Sequence, residues 1–237
     1  MAPTLPPVRC EAELLLRPAE EIFNRAVTLA VIATVAVSVL NGEAVDFGAL
    51  RAGSRRAFDN LSPIEQSFLD RAEAAQAGET PAPGADAAAP AADTPAPAAP
   101  APAYGQELRE DAYQLAWAYT AAEFLAWTIG LIDIDVFSFD PVDLPSLRGA
   151  LRGVDKEGCD ASTLPLRSLS DICDALEHIY SLRWISVEQQ SDAPGQTGPG
   201  TMQPQDHSTL LERHRAITWL TEPAIAYDDV DPVSYTH

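Results

Sequence analysis

Lysine is almost missing from this chain: Lys156 is the single example, and every other cationic side chain is an arginine. Positive charge as a whole is scarce, with 15 Lys and Arg against 35 Asp and Glu and a formal net charge of −20 at pH 7. A surface of that sign repels phosphate backbones and anionic bilayers, so neither nucleic acid nor membrane is an expected partner. A basic protein is the partner it suits, and colloidal solubility is served by the same charge. Cysteine is sparse too. Cys10, Cys159 and Cys173 share no Cys-x-x-Cys spacing, which argues against a disulfide framework or a zinc knuckle and makes a reducing cytoplasm the simplest location.

Several signatures are absent. Residues 1–18 lack the basic start and immediate apolar run of a signal peptide, so export by that route is not expected. The strongest apolar run, VTLAVIATVAVSVL from Val27 to Leu40, is shorter than the roughly 18 to 20 residues a membrane span needs. No H-E-x-x-H occurs, because His214 is followed by Arg-Ala-Ile. The acidic stretch from Asp133 to Asp143 has neither the glycine at position six nor the glutamate at position twelve of an EF-hand loop, and its aspartates read as turn and capping residues. No metal and no cofactor are expected.

What is present is a set of helices. The run after Pro18 carries acidic Glu20 and Glu21 in its first turn and ends at Asn41-Gly42, which favours a core helix over the strand its many valines would otherwise suit. Ser62 and Glu65 form a capping box around Pro63, predicting a helix over 63–77. Residues 112–132 are apolar nearly all round at helical spacing, as in the middle of a bundle. Ser168 and Asp171 start a further helix, and LLERHRAITWL, residues 210–220, belongs to the last. Between them, residues 79–103 are dominated by proline and alanine and can form neither a continuous helix nor a core.

The expected architecture is an all-α, single-domain bundle of about five or six helices. Its parts are a flexible N-terminus at 1–12, N-terminal helices at 13–78, a flexible Pro/Ala-rich spacer at 79–103, the main helical core at 104–221 and an acidic C-terminal tail at 222–237 that reads as solvated. Long loops are expected at 134–166 and 189–207, with a short β element allowed near 183–188.

Several charges interrupt the apolar faces. Glu123 is the only acid of its helix, Arg183 points into the apolar stripe of the next, and Glu212, Arg213 and His214 stand side by side in the last. Burying any of them unpaired costs several kcal/mol, so Glu123, Arg183, Glu212, Arg213 and His214 should meet as a buried polar cluster, with Arg183 and Glu123 natural partners. Trp127, Trp184 and Trp219 are the candidate aromatic walls of a pocket beside it.

The blocks LLLRPAEEIFNRAVTL, AAEFLAWTIGLID, LRSLSDICDALEHIYSLRWISVEQ and LLERHRAITWL resemble a bacterial family known as domain-of-unknown-function family 4272. Arg183 and Trp184, together with Glu212, Arg213, His214 and Trp219, are the most specific of the matching positions. Tyr227, Asp228 and Val230 match the family's closing pattern in part, and its Asp-Thr pair is missing. The resemblance implies a helical domain and no particular activity.

Three functional expectations follow. The first is a non-catalytic interaction or regulatory protein whose polar cluster fixes helix register. The second is a small-molecule-binding module or enzyme, in which Glu123 or Glu212 would act with His214 as acid and base. The third is an acidic, immunity-type protein that neutralises a basic partner. No residue is assigned a catalytic role, and no oligomeric state is specified by these patterns.

Overall fold

The computed structural model describes residues 14–78, 104–156, 159–192 and 202–230. The spacer at 79–103, the N-terminal segment at 1–12 and Cys10 lie outside the described residues. Those described form an all-α bundle with no strand among them. In chain order the helices are α1 (Ala19–Asn41), α2 (Phe47–Gly53), α3 (Arg55–Phe58), α4 (Pro63–Gly78), α5 (Gln106–Leu115), α6 (Ala118–Thr128), α7 (Leu144–Lys156), α8 (Leu169–Asp192) and α9 (Pro204–Thr221). Short 3-10 turns at Ala161–Thr163 and Tyr227–Asp229 complete the set.

α1 is the axis around which the rest packs, touching α3, α4, α5, α6 and α7. Pro18 caps it in an extended conformation, and Gly42 ends it at φ 70, a left-handed geometry that suits glycine because no Cβ meets the following carbonyl. The Glu43 N–H donating to Ser38 O at 2.8 Å closes the helix. The helix is long and apolar enough to cross a membrane, yet most of it is buried inside the bundle. Its β-branched residues lose little by being helical here, because Val31, Ile32, Val35 and Val39 are all buried against neighbours, each worth about 1.5–3 kcal/mol of apolar transfer.

The run at 112–132 is two helices rather than one. It breaks at Ala116 and Trp117 because its halves serve different cores. Leu108 and Ala112 of α5 pack with Val35, Val39 and Phe68, whereas Phe124, Leu125 and Ile129, from α6 and its end, pack with Phe23, Leu147 and Ile179.

The stretch at 134–166 is not a plain loop, since it contains α7 and a 3-10 turn. Asp143 caps α7 by accepting from Ser146 N at 3.1 Å, and Leu147, Leu151 and Val154 bury one face at helical spacing. The β element allowed near 183–188 is absent: α8 runs through it, because Ile172, Leu176, Ile179, Arg183 and Ser186 are buried at a helical period against α9. Packing outweighs the local preference of Trp184, Ile185 and Val187 for extended backbone.

Candidate functional site

The charges that interrupt the apolar faces gather in two places, on either side of α9. The first centre is Glu123 of α6 facing Arg213 of α9 at 3.9 Å, both almost wholly buried. Arg213 also donates to two backbone carbonyls of the loop after α6, Val136 O at 3.0 Å and Ser138 O at 2.5 Å. A guanidinium presents several donors in one rigid plane, so a single side chain can hold two helices and a loop together. Burial raises the Glu123 pKa, opposed by Arg213 and by the Asp143 backbone N–H. Burial likewise lowers the basicity of Arg213, opposed by Glu123, Asp135 and Asp140.

That loop is fastened at other points. Arg167, beyond the end of α6, donates to Trp127 O at 3.1 Å and Ile132 O at 3.1 Å, pairs with Asp133 at 2.8 Å and stacks over Trp127. Gly130 turns at φ 67 beneath Pro165 O, where an added Cβ would sit 3.3 Å away. Phe137 rests edge-on against His178 of α8, with ring centroids 5.0 Å apart. His178 is held less basic than usual by burial and by Arg213. The loop's aspartates serve as turn and cap acceptors: Asp135 takes Phe137 N, Asp140 takes the Ser138 hydroxyl and Asp143 takes Ser146.

The second centre joins α1, α4, α9 and the C-terminal segment. Arg25 of α1 pairs in the interior with Glu65 of α4. Glu65 is also the capping-box acid, taking Ser62 N at 2.9 Å while Ser62 Oγ accepts Glu65 N at 3.3 Å. Arg25 stacks on Tyr227 at 4.3 Å, and Arg215 lies 5.9 Å from the same ring. Arg17 stacks on Trp219 at 4.3 Å, pairs with Glu21, and donates to the carbonyls of Trp219, Glu222 and Ile225 at 2.7, 3.2 and 2.5 Å. Glu212 pairs with Arg215 at 3.1 Å, with its other oxygen buried and without a hydrogen-bond partner. Burial pushes its pKa up, against the pull of Arg215. The Tyr227 hydroxyl is likewise buried and unpartnered, and burial next to Glu212 holds it far above the usual phenol range.

The five cluster residues are therefore divided. Arg213 faces Glu123, whereas Glu212 turns to the opposite side of α9. Arg183 is buried on α8 and acts on His207, holding it less basic than usual after burial itself. His214 packs on the Tyr180 ring at 4.9 Å. A cleft of about 700 Å³ is lined by Trp219, Tyr227, Arg17 and Arg25, and by neither Trp127 nor Trp184.

Residues 222–230 are anchored by buried Tyr227 and Val230, while Pro223, Ala224, Ala226, Asp228 and Asp229 are exposed. Their cover adds to the burial of the C-terminal end of α9, where every residue from Ala216 to Thr221 is buried. Arg17, Arg25, Glu65 and Arg167 carry much of this framework and were not among the expected cluster. Arg25 could have been suspected as a charge within an otherwise apolar helix. Arg17 and Arg167 stand in loops, where no periodic pattern marks them.

An all-α bundle whose interior arginines tie loops and termini to helices is the class these features define. A family model described as Domain of unknown function (DUF4272) matches residues 1–230, and the chain belongs to that family. No curated protein and no solved structure matches it.

Proposed function

We propose that the protein is a non-catalytic interaction protein, working in the cytoplasm, that offers an acidic face studded with apolar side chains to a basic, amphipathic segment of a partner protein. One observation carries this reading. Of the seven exposed large hydrophobics among the described residues, four (Phe137, Leu166, Leu169 and Ile185) fall on the 131–143 loop, the approach to α8 and α8 itself. Exposed Asp133, Asp135, Asp140, Asp171, Asp174 and Glu177 stand on the same two segments. Exposed apolar anchors interspersed with one sign of charge along a segment suit a recognition surface, in which the anchors supply affinity and the charges speed and orient encounter.

The interior supports the same reading. Among the described residues the buried charges comprise four arginines, Arg17, Arg25, Arg183 and Arg213, against two carboxylates, Glu65 and Glu123. The rest of the chain is thus two charges more negative than the formal −20. Arg213 spends its cation on holding the loop that carries Phe137, so the polar cluster acts through position rather than chemistry.

The test is titration with a synthetic amphipathic peptide alternating leucine and arginine, at several salt concentrations. A variant carrying Phe137→Ala, Asp174→Lys and Glu177→Lys is expected to bind at least about tenfold more weakly. A control with the same charge change on α5, Glu107→Lys and Glu110→Lys, should stay within about twofold. Equal weakening in both would mean that the peptide reads net charge alone, and the proposal would fail.

A further inference from the structure

A groove on the opposite flank of α1 combines apolar walls with cations that have no carboxylate partner among the described residues. Its inner part, about 120 Å³, lies between α1, α2 and α7 and is lined by Val27, Ala30, Val31, Leu50 and Leu151, with Thr34 and Arg148 at its polar end. Its outer part, about 570 Å³, continues past Val45 and Ala49. The two parts share Leu50, Gly53, Ser54 and Arg152, so they form one channel.

The charge in this groove runs against the rest of the molecule. Arg25, Arg51, Arg71, Arg167 and Arg213 each have a carboxylate partner. Arg148 and Arg152, one helical turn apart on α7, have none among the described residues. Arg148 is instead pre-set by neutral groups: it donates to the Tyr119 hydroxyl and to Thr34 Oγ1 at 3.3 Å and lies over the Tyr119 ring at 5.4 Å. Arg152 is exposed at the junction of the two parts. Among the described residues lining the groove the one carboxylate, Asp46, is turned into the start of α2, where Oδ1 accepts Ala49 N at 2.8 Å. In a chain of net charge −20, two neighbouring guanidiniums with no carboxylate partner among the described residues stand out beside an apolar slot, and guanidinium is the side chain best matched to carboxylate and phosphate oxygens.

We propose that the groove binds a small anionic amphiphile, with its carboxylate or phosphate head on Arg148 and Arg152 and its apolar tail between α1 and α7. An apolar cavity of about 150 Å³ holds a benzene molecule, so the inner part takes a tail of about four to six carbons, with longer chains leaving through the outer part. The cation at the head has no competing internal role at Arg152, which makes that residue a clean probe.

The experiment is calorimetric titration of the full chain with octanoate, mono-octyl phosphate and octyltrimethylammonium. Both anions should bind saturably and compete with each other, the tighter one identifying the preferred head, and the cation should not bind. Arg152→Glu, an exposed substitution, is expected to weaken both anions at least tenfold without lowering Tm. Ala30→Leu, which fills the inner slot, should weaken octanoate while leaving the Arg152 environment intact. The proposal is overturned if neither anion binds saturably, if the cation binds as tightly, or if Arg152→Glu leaves affinity within twofold.

Discussion

Replacing Arg213 by methionine probes the link between the buried charges and the loop. Met fills much of the same volume and removes the cation facing Glu123 at 3.9 Å, together with both hydrogen bonds to Val136 O and Ser138 O. Removing one member of a buried pair costs about 3–5 kcal/mol, because the remaining charge is left without compensation. The separation here exceeds hydrogen-bond length, which weakens the pair, but each lost bond from a charged donor to a carbonyl adds about 1.5–3 kcal/mol. Around 4 kcal/mol is therefore expected, a fall in Tm of about 8–16 °C at about 2–4 °C per kcal/mol for a chain of this size. Glu123→Leu should cost less, about 2 kcal/mol, since Arg213 keeps its two carbonyl acceptors. The double variant replaces a buried pair by two apolar side chains, so its loss should fall short of the sum of the singles by at least about 1 kcal/mol. Chemical denaturation of the four proteins gives all three quantities. Single losses below about 1 kcal/mol that add without coupling would refute the reasoning.

Other outcomes follow from the second centre. Glu212 has a folded-state pKa above its usual 4.5 because burial disfavours its ionised form, so the native state holds the proton longer and stability falls as pH rises from about that value. Glu212→Gln should flatten this part of the Tm-against-pH curve and raise Tm near neutrality; superimposable curves would count against it. Arg17→Ala removes three carbonyl contacts and the stack on Trp219. The expected cost is on the order of 3 kcal/mol, with a red-shifted tryptophan emission as residues 222–230 detach. Unchanged emission would show that the segment is held by other means. Ser62→Ala deletes one cap and should cost about 1 kcal/mol, whereas Glu65→Ala also strands Arg25 and should cost about 3–5 kcal/mol. Equal losses would mean that the Arg25–Glu65 pair contributes little.

Much of the fold is legible from local patterns. The Asn41-Gly42 stop and the Ser62–Glu65 capping box mark helix ends that the structure reproduces, because capping depends on neighbours within four residues. α7 escapes this reading. Gly149 and Gly153 depress its helix propensity, and only the burial of Leu147, Leu151 and Val154 against the bundle makes it worthwhile. The break at Ala116 escapes too, since it arises from two cores that no sequence window contains. For the polar residues, periodicity shows which charges sit on apolar faces but not which meet. Glu123 and Arg213 are 90 positions apart, and Arg17 reaches carbonyls more than 200 residues away. The burial of Glu212 and Trp219 depends on a C-terminal segment whose acidic composition suggests solvent. Its anchor, Tyr227, is a single aromatic without periodic context.

Amide hydrogen exchange across residues 131–143, compared between the native chain and Arg213→Met, bears most directly on the claim that a buried guanidinium fastens the loop carrying Phe137. Slow exchange is expected in the native chain and at least about tenfold faster exchange in the variant, with α6 and α9 still protected. Identical exchange of the loop in both proteins would contradict it.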